Sequence, residues 1–284
     1  MNATIEPTMN DTLVSTLNGA ITLKAFFGFR RHPFPPACAP EPLYRSEAVE
    51  AALRQAHNAL QNRLHVLVTA PAGFGKSSFC RLLMAELNPR DFRPVYVVGQ
   101  PIGFSDLLRS VAEPLGLESS SRRGKAAQLL SEGLEKIAAG SGPHPVLVLD
   151  EAQQLPLEGL EFLRLLSESH NRTLMTLVLV ATDTFARLLG RPALAPLSGR
   201  LALRLRIAPL TIDQTEVFIE HSFTTAGMPN ILVPSALPSV HAASSGSPRR
   251  IGALVSEAMQ RALEKGSKML SDEILQQVLD AERR

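Results

Sequence analysis

The segment Ala70–Ser77 constrains this chain more than any other part of its sequence. It reads Ala-Pro-Ala-Gly-Phe-Gly-Lys-Ser, with a short apolar run over 65–70 before it and an apolar-periodic stretch over 78–87 after it. These flanks predict a strand that leads into the segment and a helix that leaves it. A glycine-rich turn between a strand and a helix lets backbone N–H groups and the positive helix end converge on phosphate oxygens. The sequence therefore predicts a P-loop.

The residues of this loop fit the phosphates of ATP. In the usual pattern, G-x-x-x-x-G-K-[ST], the lysine reaches the β- and γ-phosphates and the hydroxyl coordinates Mg²⁺, which assigns these roles to Lys76 and Ser77. Ala70 replaces the first glycine, and it is small but restricts the backbone. The alternative is an ordinary glycine-containing turn. The predicted nucleotide-binding residues are Ala70, Pro71, Ala72, Gly73, Phe74, Gly75, Lys76, Ser77 and Ser78.

A second apolar run, Val146–Leu149, is followed directly by Asp150 and Glu151. A strand that ends in two acids is typical of the Walker B element that completes a P-loop site. Asp150 is predicted to hold Mg²⁺ through water, and Glu151 is predicted to polarise the attacking water as general base. The alternative is a buried strand followed by a solvated acidic turn.

Apolar runs alternate with stretches of helical periodicity over most of the chain, which favours a parallel sheet covered on both faces. The predicted strands span 65–70, 95–98, 146–149, 174–181 and 201–207, and the last of them alternates apolar and basic residues. From Thr211 onward the pattern is helical only. The predicted fold class is α/β, a P-loop NTPase with a parallel central sheet followed by a small α-helical lid. The predicted division is a flexible segment 1–24, an ATPase domain 25–208 and a lid 209–284.

The fourth predicted strand ends at Thr182 and Asp183. A polar side chain at that point would lie beside the γ-phosphate and Glu151, which is the position called sensor 1. Thr182 is the predicted residue and Asp183 is the alternative. The competing interpretation is a simple N-cap for the helix that follows.

Arginines are the candidates for completing the site from outside the loop. Oligomeric P-loop ATPases insert an arginine from a neighbouring subunit to neutralise transition-state charge. Arg200 is predicted to do so because it lies just before the last strand, and Arg191 is the second choice. Arg249, in the run Gly-Ser-Pro-Arg-Arg over 246–250, is predicted to contact the γ-phosphate from the lid. For each of them the alternative is a solvated surface arginine.

A basic loop between two predicted helices contains Arg122, Arg123 and Lys125. Lysine and arginine on one face are what DNA phosphates require, so these three are predicted DNA contacts. The net charge of +2 and the pI of about 8.7 permit an acidic partner without requiring one. The alternative is a solvated surface patch.

The composition, with 45% hydrophobic and 20% charged residues, is that of a globular protein. Cys38 and Cys80 form no CxxC motif, which excludes a disulfide framework and a zinc site and fits a reducing compartment. The N-terminus lacks the basic start and apolar core of a signal peptide. No run reaches the roughly 18 apolar residues of a membrane helix. These features predict a cytoplasmic protein without membrane contact.

Motifs at both ends of the chain resemble the ExeA-like (GspA-like) AAA+ ATPase family, and the similarity covers residues 25–280 approximately. The matching motifs are Phe26–Phe29, Pro33–Phe34 and Leu43–Tyr44 near the N-terminus, Pro209–Thr211, Phe218–Ile219 and Ala226–Gly227 at the start of the predicted lid, and Gly246–Ile251 within it. After the fourth strand the family carries Gly-Gln-Pro-Glu-Leu, whereas this chain has Ala-Thr-Asp-Thr-Phe.

The resemblance implies an AAA+ fold, hydrolysis of ATP with Mg²⁺, and a homo-oligomer in the form of a ring or helical filament. Short, soluble members resemble TnsC and MuB, the ATPase partners of DDE transposases. The leading hypothesis is an ATP-dependent regulator of transposition that assembles on double-stranded DNA and recruits or activates a transposase or another transposition protein. One alternative is a cytoplasmic secretion or assembly ATPase that acts on a protein, and another is a signalling P-loop switch.

Overall fold

The structure is a computed structural model that describes residues 22–35, 43–100, 103–169 and 172–282. The chain forms two compact units. The α/β unit is Arg45–Ala208, and the helical unit joins the residues up to Tyr44 with Pro209–Arg284. Residues 1–21 of the predicted flexible segment 1–24 lie outside the described residues. Cys38 also lies outside them.

Five parallel strands form the sheet of the α/β unit. The strands of the chain are β1 (His65–Thr69), β2 (Phe92–Val98), β3 (His144–Asp150), β4 (Glu168–Ser169), β5 (Arg172–Thr173), β6 (Thr176–Ala181) and β7 (Leu201–Arg206). The sheet order is β2-β3-β6-β1-β7, while β4 and β5 form a separate antiparallel pair. The segment that follows β1 therefore leaves the carboxyl edge of the sheet between β6 and β7. Open α/β sheets bind their ligands at this edge, where the strand order reverses.

Helices cover both faces of the sheet and make up the second unit. They are α1 (Leu23–Phe27), α2 (Glu47–Gln61), α3 (Lys76–Glu86), α4 (Phe104–Ala112), α5 (Arg123–Ala139), α6 (Leu157–Leu166), α7 (Asp183–Leu188), α8 (Ala195–Arg200), α9 (Ile212–Ala226), α10 (Leu237–Ser244), α11 (Pro248–Glu264) and α12 (Asp272–Glu282). The parallel sheet flanked by helices confirms the predicted fold class.

Leucine and valine alternate along the central strands and divide the sheet into two faces. Successive strand residues point to opposite faces, so each face collects one residue type. Helices α4, α5 and α6 pack on the leucine face, and α2 and α3 pack on the valine face. The leucine face contains Leu67, Leu147, Leu149, Leu177 and Leu179. The valine face contains Val66, Val68, Val146, Val148, Val178 and Val180.

Two predicted helices are shorter than the sequence pattern indicates. The predicted helix 103–117 is α4 followed by a 3-10 turn at Glu113–Leu115, because Pro114 lacks the N–H that an α-helix needs. The predicted helix 157–169 ends at Leu166, and β4 begins two residues later. The helical periodicity of this stretch did not reveal the β4–β5 hairpin.

Aromatic residues of the N-terminal segment fill the core of the helical unit. Phe29 is buried there, and the ring of Phe34 lies 5.7 Å from that of Phe223. The ring of Tyr44 lies 5.4 Å from that of Phe218. The predicted ATPase domain 25–208 included this segment. The structure instead places the described residues up to Tyr44 in the helical unit.

Candidate nucleotide-binding site

The loop between β1 and α3 depends on two glycines in the left-handed region. Gly73 and Gly75 both have a φ of +87°, and Gly75 is the N-cap of α3. A Cβ on Gly75 would meet nothing within 4 Å, so conformation rather than space requires glycine there. Ala70 is not among the described residues with positive φ, and its N–H donates to the Ala181 carbonyl at 3.2 Å. Alanine therefore replaces the first glycine of the pattern without backbone strain.

Lys76 opens α3, and its side chain lies back over the loop. Its Nζ donates to the Pro71 carbonyl oxygen at 3.3 Å and lies 3.6 Å from Glu151 Oε1. The lysine is only 5% exposed, and a buried ammonium needs such partners. Ser77 follows it as an exposed residue on the first turn of the helix. The ammonium, a hydroxyl and the positive helix end thus lie together, as phosphate binding requires.

Asp150 ends β3 as a buried carboxylate. It is 2% exposed, and its Oδ2 accepts a hydrogen bond from the Tyr96 hydroxyl at 3.0 Å. Its Oδ1 accepts one from the Glu151 N–H at 2.9 Å. Burial, and secondarily the charge of Asp150, raise the pKa of the Tyr96 phenol, so the phenol remains a donor at neutral pH. Tyr96 is not among the predicted site residues, and its only signal in the sequence is a hydroxyl in an apolar strand.

Glu151 has an unusual backbone conformation, and Gly99 lies close to its carbonyl group. Its φ of 54° lies in the left-handed region, where a residue with a side chain is strained. A Cβ on Gly99, just after β2, would lie 2.4 Å from the Glu151 carbonyl oxygen. The Gly99 N–H also donates to the Asp150 carbonyl at 2.6 Å. Only glycine lets the end of β2 approach the acidic pair so closely.

Gln153, which is also not among the predicted site residues, joins Glu151 to the end of β6. Its Nε2 donates to Glu151 Oε2 at 2.5 Å, and its Oε1 accepts from the Thr182 N–H at 3.2 Å. Thr182 is the N-cap residue of α7 by position, but its side chain makes no capping hydrogen bond. The structure therefore brings the predicted sensor residue to Glu151 through Gln153.

Arg200 lies at the opposite edge of the sheet. It precedes Leu201, which pairs with His65, the first residue of β1, whereas the phosphate loop follows the last residue of that strand. A five-residue strand is about 17 Å long, which places the guanidinium out of reach of its own loop. Its NH2 lies 3.3 Å from Glu168 Oε2, and its side chain is 58% exposed.

The other predicted phosphate contacts lie in three different local environments. The carboxylate of Asp183 pairs with the Arg206 guanidinium at 2.9 Å and is thereby directed to β7. Arg191 is exposed ahead of a 3-10 turn. Arg249 lies in the helical unit, on the first turn of α11, which Ser247 caps.

The three predicted DNA contacts differ in what they touch. The guanidinium of Arg123 pairs with Glu158 and lies 4.3 Å from the centre of the Phe104 ring. Arg122 and Lys125 are exposed at the start of α5. All three cations are exposed, and the charge of Arg123 is paired within the α/β unit.

Comparison with known proteins places this site in a class. Residues 57–189 match the family model described as AAA domain. The parallel sheet, the phosphate loop and the acidic pair together with this match give the chain the fold of an AAA+ P-loop domain. In the described part of the chain, no helix combines the length and the apolar character needed to span a bilayer.

Among curated proteins, the chain is similar to general secretion pathway protein A of Aeromonas hydrophila. The two are 30% identical over 249 residues, which is 85% of this chain and 45% of that protein. The chain thus spans less than half the length of this relative. The match supports the resemblance to ExeA-like ATPases that the motifs indicated.

Solved structures share the fold at low sequence identity. The Aeropyrum pernix ORC1 protein in complex with DNA has a TM-score of 0.68 at 20% identity, over 89% of this chain and 70% of that one. Drosophila ORC bound to DNA also has a TM-score of 0.68, at 17% identity, over 100% of this chain and 70% of that one. The Thermotoga maritima RuvB Holliday junction branch migration motor has a TM-score of 0.55 at 17% identity, over 88% and 73%.

Proposed function

We propose that the chain binds ATP with Mg²⁺ at the loop Ala70–Ser77 and hydrolyses it with Glu151 as general base. The convergence of the Lys76 ammonium with the Asp150 and Glu151 carboxylates at the carboxyl edge of the sheet carries this proposal. Lys76 binds the β- and γ-phosphates, and the backbone from Ala70 to Ser78 surrounds them. Glu151 takes the proton of the attacking water.

The residues at the site fit a magnesium ion that the nucleotide helps to hold. Mg²⁺ at ATP sites takes one or two protein oxygens and completes its shell with phosphates and water. Ser77 and Asp150 supply oxygens of this kind. No group of three or more potential ligands among His, Cys, Asp and Glu occurs within the described ranges, and a site of this type does not need one. Bound there, the ion would neutralise charge on the transferred phosphate.

Assembly of identical chains completes the site in this proposal. Arg200 is exposed but lies a strand length away from its own loop. A guanidinium so placed can stabilise the transition state only in a neighbouring copy. We therefore assign it the trans role in a ring or helical filament, with Thr182 and Arg249 as sensors of the γ-phosphate.

The proposed function of the assembly is ATP-dependent binding of double-stranded DNA in the regulation of transposition. The exposed cations Arg122 and Lys125 support this proposal, because repetition around an oligomer multiplies weak phosphate contacts. Two of the structurally similar proteins are solved with DNA. A transposase or another transposition protein is the partner that such an assembly would recruit.

A second candidate function is supported by the similarity to general secretion pathway protein A. In this alternative the same ATPase cycle acts on a protein, in secretion or assembly, and needs no nucleic acid. The two candidates share the nucleotide chemistry and differ in what triggers assembly.

Electron microscopy separates the two candidates. The purified chain is imaged with a slowly hydrolysed ATP analogue, with and without duplex DNA. Rings or filaments that form only on DNA support the first candidate. Assembly indifferent to DNA favours the second, and a chain that binds no ATP contradicts both.

DNA affinity at two salt concentrations tests the basic turn. We expect non-specific binding that weakens steeply with salt. Arg122→Glu and Lys125→Glu should each bind DNA more weakly than the unmodified chain at the same salt concentration. Arg90→Glu, an exposed arginine ahead of β2, is the matched control and should leave it unchanged. Equal loss in the control would argue for a general charge effect, not a contact surface.

A further inference from the structure

Gln153 lies where two elements of the site meet. It belongs to the 3-10 turn Ala152–Gln154, which directly follows Glu151. The left-handed conformation of Glu151 turns the chain at the end of β3, and the Gln153 amide then meets the Glu151 carboxylate. This contact joins two residues of one tight turn.

The two partners of the Gln153 amide fix its orientation. The Thr182 N–H is a donor and must meet the amide oxygen, whereas the Glu151 carboxylate is an acceptor and must meet the NH₂ group. The amide is therefore held at both ends. A hydrogen bond to a carboxylate is among the strong ones because it is charge-assisted.

The two carboxylate oxygens of Glu151 have different neighbours. Oε2 accepts from Gln153, and Oε1 faces the Lys76 ammonium at 3.6 Å. The oxygen on the side of the phosphate loop is thus the one placed to receive a proton, while the other is anchored. The anchor continues through the amide to the backbone at the end of β6, beside the predicted sensor residue.

We propose that Gln153 is a positioning residue that aims the carboxylate of Glu151 and couples it to the end of β6 at Thr182. This inference rests on the proposed role of Glu151 as general base. A displacement of the Thr182 backbone would move the amide, and the amide would move the carboxylate. A misplaced base slows chemistry without weakening the binding of substrate.

Two substitutions of Gln153 separate positioning from a structural role. Gln153→Glu keeps an acceptor for the Thr182 N–H but removes the donor to Glu151, and Gln153→Met removes both. Gln154→Glu, at the exposed neighbouring position, is the matched control for the added charge. The kcat and KM for ATP, the affinity for a slowly hydrolysed analogue and the melting temperature are measured for each full-length variant.

We expect both Gln153 variants to lower kcat by about 10- to 100-fold, with analogue affinity and melting temperature close to those of the unmodified chain and of Gln154→Glu. A near-normal kcat in Gln153→Glu overturns the inference, because the hydrogen bond from Gln153 to Glu151 would then not be needed for hydrolysis. A parallel loss of analogue affinity or of melting temperature also overturns it. If the unmodified chain binds the analogue and assembles but hydrolyses no ATP, the proposed function itself fails.

Discussion

The Lys76 ammonium and the Glu151 carboxylate lie 3.6 Å apart, so the two residues with opposite charges at the site face each other directly. One belongs to the phosphate loop and the other to the end of β3. Each charge therefore affects the other. Substitution of one residue at a time tests phosphate binding by Lys76 and general-base catalysis by Glu151 separately.

Lys76→Ala should weaken ATP binding by about 10- to 100-fold, because a charge-assisted hydrogen bond contributes about 1.5–3 kcal/mol. Titration with a fluorescent ATP analogue measures the change. Lys136→Ala, at an exposed lysine in the last turn of α5, is the control. Unchanged affinity in Lys76→Ala would remove the lysine from the phosphate site.

Glu151→Gln should keep ATP bound and lower kcat by about 10²- to 10⁴-fold, which is the usual contribution of a general base. The amide has nearly the same shape but cannot accept the proton. Binding and steady-state hydrolysis are measured side by side, with the exposed Glu118→Gln as control. Normal hydrolysis in the Glu151 variant would show that the Walker B assignment is wrong.

Gly99→Ala should destabilise the α/β unit by about 1–3 kcal/mol, the usual cost of overpacking. Its Cβ would lie 2.4 Å from the carbonyl oxygen of Glu151, so the end of β2 or the acidic pair must move. The rate of ATP hydrolysis should also fall, because the residue that must move, Glu151, is the proposed general base. Denaturant unfolding compares it with Gly142→Ala, where a Cβ meets nothing within 4 Å.

Phe29→Ala should destabilise the helical unit by about 3–5 kcal/mol, as large-to-small changes of buried aromatics do. Phe29 belongs to the same buried core as α9–α12 although it precedes the α/β unit in the chain. Hydrogen exchange of the amides in α9, α11 and α12 should accelerate. Phe26→Ala, at a partly exposed ring, should have a smaller effect.

Acid should destabilise the chain partly through His144. Burial, with repulsion from Arg63 and His65, lowers its pKa to about 4. An unfolded histidine titrates near 6.5, so the unfolded state binds the proton first, and stability present above about pH 6.5 is lost as pH falls towards 4. Urea unfolding at pH 7.5 and pH 5 measures the loss of unfolding free energy between the two conditions. This loss should be smaller in His144→Asn than in the unmodified chain. Identical losses in the two proteins would contradict this origin.

The chemistry of the phosphate loop could be predicted because it is encoded in consecutive residues. The positions of Asp150 and Glu151 could also be predicted, because residues that directly follow an apolar strand lie at the carboxyl edge of a parallel sheet. The apolar run Val146–Leu149 likewise predicted the strand β3. In these places, local sequence determines both the conformation and the neighbours.

Other parts of the site depend on contacts between distant segments and could not be read from a pattern. Gln153 acquires its role only because the Thr182 N–H reaches its amide oxygen. Gly99 is required only because Glu151 lies against it. Phe34 and Tyr44 lie just before the α/β unit in the chain, but they belong to the helical unit because their rings pack on α9.

The position of Arg200 has a consequence for how activity should scale with assembly. One chain holds a phosphate loop at one edge of its sheet and the arginine at the other, so with the trans role proposed above each junction between chains creates one complete site. A closed ring of n chains then has n such junctions, while an open filament has n − 1 and always ends in an idle site. The rate of ATP hydrolysis would be proportional to the number of junctions. Dilution would abolish hydrolysis without unfolding the protein.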